Sequence, residues 1–529
     1  MIDTAPRPDL DDITRALHQP AIYPNQPAAV EVIETHASIV FIAGDHVYKL
    51  KKPVDFGFLD YSTLARRRLM CQLEVQLNRR LAPNVYLGIE KLVLAGDAIQ
   101  FGETGEAFEY LVHMRRLPDE ATLAALVDDD TIDERQIDDI ASTIGRFHQR
   151  MLGSPEIDRW GRPAAIEQNV EENLEQIQPF VGRSIPSGAY ERIASYARGF
   201  LTEQHGLLNQ RVLDGMIRDG HGDIRSDHVY LLDDVTIIDC IEFNDRIRYG
   251  DVATDVGFLA MDLDARNRPD LSDRLISAYV AASRLDVTPV LDFYRSYRAV
   301  VRGKVASFQL DQDGLADSER TQILREARRY FHLAYRYSTA DRGPRLILMS
   351  GLTGSGKSTL ARELTRALPA AMIDSDTTRK QLAGVSPTDR ESVGYGEGIY
   401  SKAMTGRVYL ELLTRARRLL KRGQTVILDA TYTRQDDRRK AQELALELGA
   451  QFLITRCEAP EEVTRSRLAE REGDPSSVSD GRWDIYLAQR AAADPLSTAE
   501  ASNATTVNTN DDLDDQVEAV LHHLESSVS

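Results

Sequence analysis

The chain has 529 residues, of which 42% are hydrophobic and 28% charged, and its formal net charge is −19. This length exceeds what one hydrophobic core serves, and the composition is that of an ordinary soluble globular protein with several domains. The acidic balance disfavours broad nucleic-acid binding, and no apolar run approaches the length that crosses a bilayer.

The N-terminus and the cysteines both indicate a cytoplasmic protein. The first residues, MIDTAPRPDLDD, lack the basic and then apolar pattern of an export signal. Cys71, Cys240 and Cys457 lie far apart and form no metal or redox spacing. They are therefore expected to be buried thiols in a reducing compartment.

Residues 1–118 have the element order of a kinase small lobe. The patterns VEVIE, SIVFIA and HVYKLK predict three strands, and residues 63–80 have the leucine spacing of a helix. VYLGIEKLVL and AIQFG predict two more strands, followed by an exit strand in AFEYLVHMRR. Residues 119–340 are predicted to be a mainly helical large lobe, interrupted by HGDIRSDHV and a hairpin, VYLL-DD-VTIID.

A boundary is predicted near residue 341, where STADRGPR separates a helix end from the apolar strand RLILMS. Residues 341–529 then alternate strands (RLILMSG, AAMIDSD, QTVILDA, QFLITRC) with amphipathic helices. This alternation predicts an α/β domain with a parallel sheet. The predicted fold class is therefore an α+β, kinase-like, two-lobed domain followed by an α/β domain with a parallel sheet, which the motif GLTGSGKST identifies as a P-loop NTPase domain.

The P-loop motif is the strongest chemical signal. GLTGSGKST fits G-x-x-x-x-G-K-S, follows a strand and precedes a helix. Its glycines let backbone N–H groups surround phosphate oxygens, the lysine neutralises phosphate charge and the serine hydroxyl ligates Mg²⁺. The predicted ATP-binding residues are Gly351, Thr353, Gly354, Ser355, Gly356, Lys357, Ser358 and Thr359.

Three further segments supply candidate partners for this loop. Asp429 ends the strand VILD and is a candidate for water-mediated Mg²⁺ binding. Asp376 is the candidate base for an attacking hydroxyl, with Arg379 one helical turn later, although a helix-capping Asp with an ion pair is the common alternative. Arg467 and Arg471 lie four residues apart and are candidate lid arginines, or else a solvated helix face.

These segments resemble the P-loop kinase family that includes gluconate kinase, zeta toxin, chloramphenicol phosphotransferase and the kinase part of bacteriophage polynucleotide kinase. The likeness covers most of 344–529. It implies that Asp376 is a catalytic base, that Arg379 assists it and that a hydroxyl is phosphorylated. It does not specify the substrate.

The first part contains the other elements of a kinase-type site. Lys49 is the candidate strand lysine for the ATP phosphates, and Glu74 is its candidate helix partner, with a solvent-facing Glu as the alternative. In HGDIRSDHV, Asp223 is the candidate base and Arg225 a γ-phosphate contact, while His228 stands where a kinase has its metal-binding Asn. Asp239 and Glu242 are the candidate metal acids, and loop length favours Glu242.

Together these residues resemble the aminoglycoside phosphotransferase/choline kinase superfamily over nearly all of 1–340. GDVATDVGFLAMDL matches its G-D-P-A-x-D-L-A-x-L pattern, but the glycine-rich loop is missing, with THAS in its place. The chain more closely resembles a bacterial subfamily in which such a domain is fused to a P-loop kinase domain. The resemblance implies ATP and Mg²⁺ as cofactors.

The leading hypothesis is an enzyme with two nucleotide sites that transfers the ATP γ-phosphoryl group to a hydroxyl of a small molecule. A second hypothesis makes the first domain a pseudokinase that binds a ligand and regulates the P-loop kinase. A third makes the P-loop domain a 5′-hydroxyl polynucleotide kinase, which the acidic balance disfavours.

Overall fold

The computed structural model divides the chain into two compact units. The first comprises residues 1–171 and 200–298, and the second comprises residues 172–199 and 299–529. Within them, the structure describes residues 8–96, 98–102, 104–312, 314–339, 344–368, 370–385, 398–472 and 482–526.

The first unit begins with a helix and a six-stranded antiparallel sheet, ordered β1-β2-β3-β6-β4-β5. The predicted succession of three strands, a helix, two strands and an exit strand is confirmed. Its elements are α1 (Leu10–Leu17), β1 (Glu31–Glu34), β2 (Ser38–Ala43), β3 (His46–Lys51), α2 (Leu64–Asn78), β4 (Tyr86–Ala95), β5 (Ala98–Phe101) and β6 (Glu109–Arg115).

The alternation of side chains along β3 determines which of them face α2. Tyr48 and Leu50 are buried in a core with Phe41 of β2. Because side chains alternate across a strand, Lys49 and Lys51 point to the other face, which α2 covers. Cys71 and Val75 of α2 pack there in a second buried cluster, so the helix is held against the strand lysines.

Helices dominate the rest of the kinase-like part. The helices are α3 (Leu123–Asp128), α4 (Glu134–Arg150), α5 (Pro155–Asp158), α6 (Pro163–Ile177), α7 (Ser187–Glu203), α8 (His205–Leu213), α9 (Asp245–Arg248), α10 (Val252–Ala265), α11 (Pro269–Ser283), α12 (Leu291–Gln309) and α13 (Asp317–Ser338). The short strands are β7 (Ile217–Asp219), β8 (Val229–Leu231), β9 (Val235–Ile237) and β10 (Tyr249–Asp251). The segment HGDIRSDH therefore lies between β7 and the β8–β9 hairpin.

A five-stranded parallel sheet, ordered β12-β13-β11-β14-β15, forms the centre of the second unit. The four predicted strands are confirmed, but a fifth, β15, was missed because ATTVN is short and polar. The strands are β11 (Arg345–Ser350), β12 (Ala370–Asp374), β13 (Thr425–Asp429), β14 (Gln451–Glu458) and β15 (Ala504–Asn508). The central position of β11 places the loop that follows it in the middle of the sheet's carboxyl edge.

The helices that follow the first strand of this sheet surround it. They are α14 (Lys357–Ala367), α15 (Ser375–Ala383), α16 (Lys402–Leu420), α17 (Gln435–Glu447), α18 (Glu461–Glu472), α19 (Trp483–Ala492), α20 (Thr498–Ala501) and α21 (Leu513–Ser526). No helix in the described ranges combines the length and the apolar character needed to span a membrane.

Helices that precede β11 in the chain also belong to this unit. Helix α13 packs on α14, and Arg328 of α13 pairs with Asp514 in the first turn of α21. The backbone N–H of Ser187, at the start of α7, donates to Glu518 Oε1 over 3.0 Å. Two helices that flank the P-loop sheet, α14 and α21, are therefore contacted by helices encoded in the kinase-like half of the sequence.

The crossing of α12 and α13 yields a stability prediction. A Cβ added at Gly303 would lie 2.7–2.9 Å from three ring carbons of the buried Phe331. We expect Gly303→Ala to destabilise the second unit by about 1–3 kcal/mol, because a packed core resists an added methyl group. The measurement is the apparent melting temperature of the full chain.

Gly199, inside α7, is the matched control because nothing lies within 4 Å of its added Cβ. Gly199→Ala should leave stability unchanged or raise it by up to about 1 kcal/mol, since Ala is the better helix former. Equal melting temperatures for the two variants would contradict the close crossing.

Candidate active sites

The first candidate site lies where β3 faces α2. Lys49 Nζ is 3.0 Å from Glu74 Oε1 and 3.0 Å from Asp239 Oδ1. Burial opposes the charged lysine, but the facing carboxylates, Asp239 first, raise the pKa of Lys49 well above its ordinary value. Lys49 therefore presents a fixed ammonium group to the cleft.

A second lysine shares the same glutamate. Lys51, with a fully buried side chain, places Nζ 2.5 Å from Glu74 Oε2 and 2.5 Å from Glu242 Oε1. The Tyr61 hydroxyl donates to the same Glu242 oxygen over 2.6 Å. The sequence pattern placed Lys51 beside Lys49 on one strand face, but nothing in it marked Lys51 or Tyr61 as part of this buried network.

The structure places the two candidate metal acids, Asp239 and Glu242, in different surroundings. Strand β9 ends at Ile237, so the strand alternation assumed for Asp239 and Glu242 does not extend to them. Glu242 is engaged by Lys51 and Tyr61. Asp239 has a left-handed backbone conformation (φ 64°) and turns its carboxylate toward Lys49 and His228. Asp239 is thus the acid placed beside the loop.

The catalytic-loop candidates lie together around Asp223. Arg225 Nε donates to Asp223 Oδ1 over 3.1 Å, and Arg225 Nη2 lies 2.8 Å from His228 Nε2. The carboxylates of Asp223 and Asp239 lie on either side of His228, at 3.5 Å from Nδ1 and 3.7 Å from Nε2. The structure thus brings the predicted base, the arginine and the histidine within one hydrogen-bonded group.

Asp255, a residue the sequence analysis did not single out, holds this loop. Its carboxylate accepts the backbone N–H groups of His221 (2.8 Å) and Gly222 (2.9 Å) and contacts His148 Nε2 at 3.2 Å. Burial opposes ionisation, but these hydrogen bonds keep the pKa of Asp255 well below its ordinary value. Burial also lowers the pKa of His221 to about 4, so this histidine is neutral scaffold. Asp255 is the second Asp of the GDVATD pattern, and this pattern was the sequence signal that could have identified it.

The second candidate site is the P-loop between β11 and α14. Gly351, Gly354 and Gly356 all have positive φ angles. A Cβ at Gly351 would lie 2.5 Å from the Cys457 carbonyl oxygen, so the close approach admits only glycine. Lys357 Nζ reaches across the loop and donates to the Leu352 carbonyl oxygen over 2.7 Å.

Asp429 stands at the base of this loop. It is buried at the end of β13, beside Asp374 of β12 in the parallel register. Burial raises the pKa of Asp429, whereas Lys357 and a hydrogen bond with Ser358 oppose that shift. Asp429 and Ser358 are therefore hydrogen-bonded neighbours at the base of the loop.

A cavity of about 640 Å³ joins the P-loop to the predicted acceptor residues. Lys357, Asp376, Arg379 and Asp429 all line it. Arg379 Nη1 donates to the Ile399 carbonyl oxygen (2.9 Å) and contacts Thr405 Oγ1 (3.3 Å), with its guanidinium 4.9 Å from the Tyr400 ring centre. Asp374 caps α15 by accepting the Thr377 N–H, so Asp376 lies in the first turn of the helix and is not its cap.

The predicted lid arginines have separate outcomes. Arg467 donates to Thr509 through Nη1 to Oγ1 (3.0 Å) and Nη2 to the carbonyl oxygen (2.7 Å). Thr509 Oγ1 in turn donates to the Ser355 carbonyl oxygen of the P-loop over 2.9 Å. Arg467, Thr509 and Gly356 line a further cavity of about 530 Å³ beside the loop. The side chain of Arg471 lies outside the described residues.

Comparisons with known proteins match two separate ranges of the chain, one for each candidate site. Residues 27–295 match the phosphotransferase enzyme family, and residues 346–493 match a family described as AAA domain. Uncharacterized proteins of Mycobacterium tuberculosis and Mycobacterium bovis are each 35% identical over 456 residues, which is 85% of this chain and 88% of theirs.

Solved structures with lower similarity fall into two groups. A choline/ethanolamine kinase family protein from Mesorhizobium loti is 11% identical, with 62% of this chain and 98% of that chain covered and a TM-score of 0.37. A sugar kinase from Janibacter sp. is 15% identical, with 35% and 99% covered and a TM-score of 0.26. The APS kinase of Mycobacterium tuberculosis is 20% identical, with 35% and 98% covered and a TM-score of 0.25.

The two matched ranges together contain the kinase-type loop with its strand lysine and the P-loop. The chain therefore belongs to the phosphotransferase enzyme family and carries, in addition, a P-loop kinase-type domain.

Proposed function

We propose that the protein transfers the γ-phosphoryl group of ATP to a hydroxyl of a small molecule, with a nucleotide site in each candidate active site. The observation that carries the two-site proposal is Lys49, bound between Glu74 and Asp239 at 3.0 Å each. A scaffold that no longer binds nucleotide has no need of a half-buried lysine held between a buried glutamate and the acid beside the loop. The protein would act in the cytoplasm.

In the first cleft, each residue has a distinct task. Lys49 would bind the ATP phosphates, and Glu74 would hold its ammonium group in position. Asp223 would accept the proton of the attacking hydroxyl, while Arg225 would contact the γ-phosphate. His228 and Asp239 would hold the cation, with Asp223 beside them. That cation would neutralise charge on the β- and γ-phosphates.

The P-loop site would work through its backbone. The N–H groups of the glycine-containing loop and the N-terminus of α14 would bind phosphate oxygens, and Lys357 would leave the Leu352 carbonyl for the β- and γ-phosphates. The hydroxyl of Ser358 and the carboxylate of Asp429 fit Mg²⁺, which prefers oxygen ligands. Asp376 would accept the acceptor's proton, and Arg379 would bind the acceptor or the transferring group.

The cavity beside the P-loop suits the nucleotide base. It lies against Gly356 and Thr359 of the loop, and Arg467 and Thr509 border it. An arginine that is held in place by two hydrogen bonds to one residue presents a flat guanidinium surface for a purine ring. We therefore place adenine there.

One observation favours the alternative that the first domain is a regulatory pseudokinase. Arg225 Nη2 lies 2.8 Å from His228 Nε2, so a cationic side chain occupies the position where a metal ion would contact this nitrogen. On this alternative the cleft binds a ligand without transferring phosphate, and only the P-loop site turns over ATP.

Nucleotide stoichiometry separates these functions. With a non-hydrolysable ATP analogue and calorimetry, the full chain should bind two nucleotides, and Lys49→Met or Lys357→Ala should each weaken one site by about 10–100-fold, since a charged hydrogen bond is lost. Lys52→Met is the control for Lys49, because Lys52 pairs instead with the exposed Glu34. A wild-type stoichiometry of one would contradict the two-site proposal.

The bases can be tested by turnover. We expect Asp223→Asn and Asp376→Asn each to lower phosphoryl transfer at its own site by about 10²–10⁴-fold, with nucleotide affinity nearly unchanged, because the lost group acts on the acceptor proton. The assay is a screen of hydroxyl-bearing metabolites and 5′-hydroxyl oligonucleotides with labelled ATP. The exposed Asp233→Asn is the control. Full turnover by Asp223→Asn would support the pseudokinase.

The buried lysine network gives a stability prediction. Lys51→Met leaves Glu242 and one oxygen of Glu74 buried without a cation, which should cost about 3–5 kcal/mol. The double variant Lys51→Met/Glu242→Gln removes one of the uncompensated charges and should recover part of that loss. Thermal denaturation of both variants measures the difference, and equal destabilisation would show that Lys51 acts through its alkyl chain alone.

A further inference from the structure

Three side chains of the first cleft form a potential ligand set. Asp223, His228 and Asp239 each offer one donor atom within 4.8 Å of the others. Each carboxylate has one oxygen bound by a cationic side chain, Asp223 Oδ1 by Arg225 and Asp239 Oδ1 by Lys49. The Oδ2 atoms are the ones nearest His228, at 3.5 Å and 3.7 Å from its ring nitrogens. The oxygens without a cationic partner thus converge on the imidazole.

The orientation of the His228 ring is that of a metal ligand. Nδ1 lies 2.9 Å from the Asp223 carbonyl oxygen, which can only accept, so Nδ1 carries the proton. Nε2 consequently has a lone pair, and it lies 2.8 Å from Arg225 Nη2 and 3.7 Å from Asp239 Oδ2. A histidine that binds metal generally donates its other ring N–H to a backbone carbonyl or carboxylate, which fixes the ring and its tautomer. His228 is buried and already held in this way.

In this structure the guanidinium group of Arg225 is hydrogen-bonded to His228 Nε2. Its Nη2 is 2.8 Å from His228 Nε2, and its Nε stays with Asp223. A divalent ion at Nε2 would repel the guanidinium and displace Nη2. The displaced group would then be free to contact a phosphate, which is the role proposed for it in catalysis.

The donor atoms discriminate among cations. Mg²⁺ requires near-ideal octahedral coordination by oxygen, whereas imidazole nitrogen suits first-row transition ions, and carboxylates also suit Mn²⁺. Ligands about 2.1 Å from an ion and at right angles lie about 3 Å apart, so a small closure of the 3.7 Å between Nε2 and Asp239 Oδ2 completes the contact.

We propose that the first cleft takes a divalent first-row transition ion, with Mn²⁺ as its representative, in preference to Mg²⁺, through His228 Nε2 and Asp239, with Asp223 alongside. The proposal rests on the proposed function only in treating this cleft as the nucleotide cleft. The P-loop site, with its hydroxyl and carboxylate ligands, keeps the ordinary preference for Mg²⁺. The two sites of one chain therefore differ in the metal they use.

The test is direct metal binding to the full chain without nucleotide. All samples carry Ser358→Ala and Asp429→Asn, so the second site does not contribute. We expect electron paramagnetic resonance to show one bound Mn²⁺, which Mg²⁺ displaces only at a concentration at least about tenfold higher. Pulsed measurements should show coupling of the bound Mn²⁺ to an imidazole nitrogen.

Substitutions test whether the nitrogen coupled to Mn²⁺ belongs to His228. In the same background, His228→Asn should abolish the nitrogen coupling and weaken Mn²⁺ binding by about 10–100-fold while changing Mg²⁺ binding far less. His205→Asn, at an exposed histidine of α8, is the matched control and should change neither. Arg225→Gln should tighten Mn²⁺ binding, because the competing guanidinium is removed.

The outcomes are distinct from those of the catalytic tests. Equal affinities for Mn²⁺ and Mg²⁺, or bound Mn²⁺ without nitrogen coupling, would overturn the proposal, and both are read on the unaltered first cleft. Nitrogen-coupled Mn²⁺ in a chain whose Asp223 contributes nothing to turnover would support the metal assignment and overturn catalysis in this cleft instead.

Discussion

The ionic arrangement of the first cleft depends on one shared carboxylate, that of Glu74. Its two oxygens bind different lysines, Lys49 and Lys51, and those lysines reach Asp239 and Glu242 respectively. Both lysines carry raised pKa values because the surrounding carboxylates outweigh the cost of burial. One glutamate thereby links β3, which carries both lysines, to the segment that carries Asp239 and Glu242.

This arrangement fixes positions more than it adds stability. Buried ion pairs gain little net free energy over apolar residues of the same volume, since both charges lose their hydration. What they impose is geometry, because any shift of α2 against β3 would leave a charge unpaired. This fixed geometry matters because the sequence lacks the glycine-rich loop of a kinase. The β1–β2 turn is instead closed on itself by Thr35, whose N–H and hydroxyl both donate to the Ser38 carbonyl oxygen.

The sequence predicted the fold well because each element carried its own pattern. Alternation in HVYKLK and helical spacing around Glu74 were enough to bring Lys49 and Glu74 together, and the P-loop was specified by local residues alone. The sequence did not predict the choice between Asp239 and Glu242, because that depends on where β9 ends and on a left-handed residue. Asp255, Lys51 and Tyr61 were missed because their roles arise from tertiary burial, which a linear pattern does not encode.

The two sites solve one electrostatic problem in different ways. The P-loop offers phosphate a ring of backbone N–H groups and a single lysine, so its positive potential is built into the main chain and needs glycine at three positive-φ positions. The first cleft has no such ring among the residues that the structure describes, and its charged groups are lysine side chains that carboxylates balance. On the proposed function, its capacity to hold phosphate would depend on which cation joins Asp239 and His228, so the replacement of an Asn by His228 would bear on chemistry rather than on the fold.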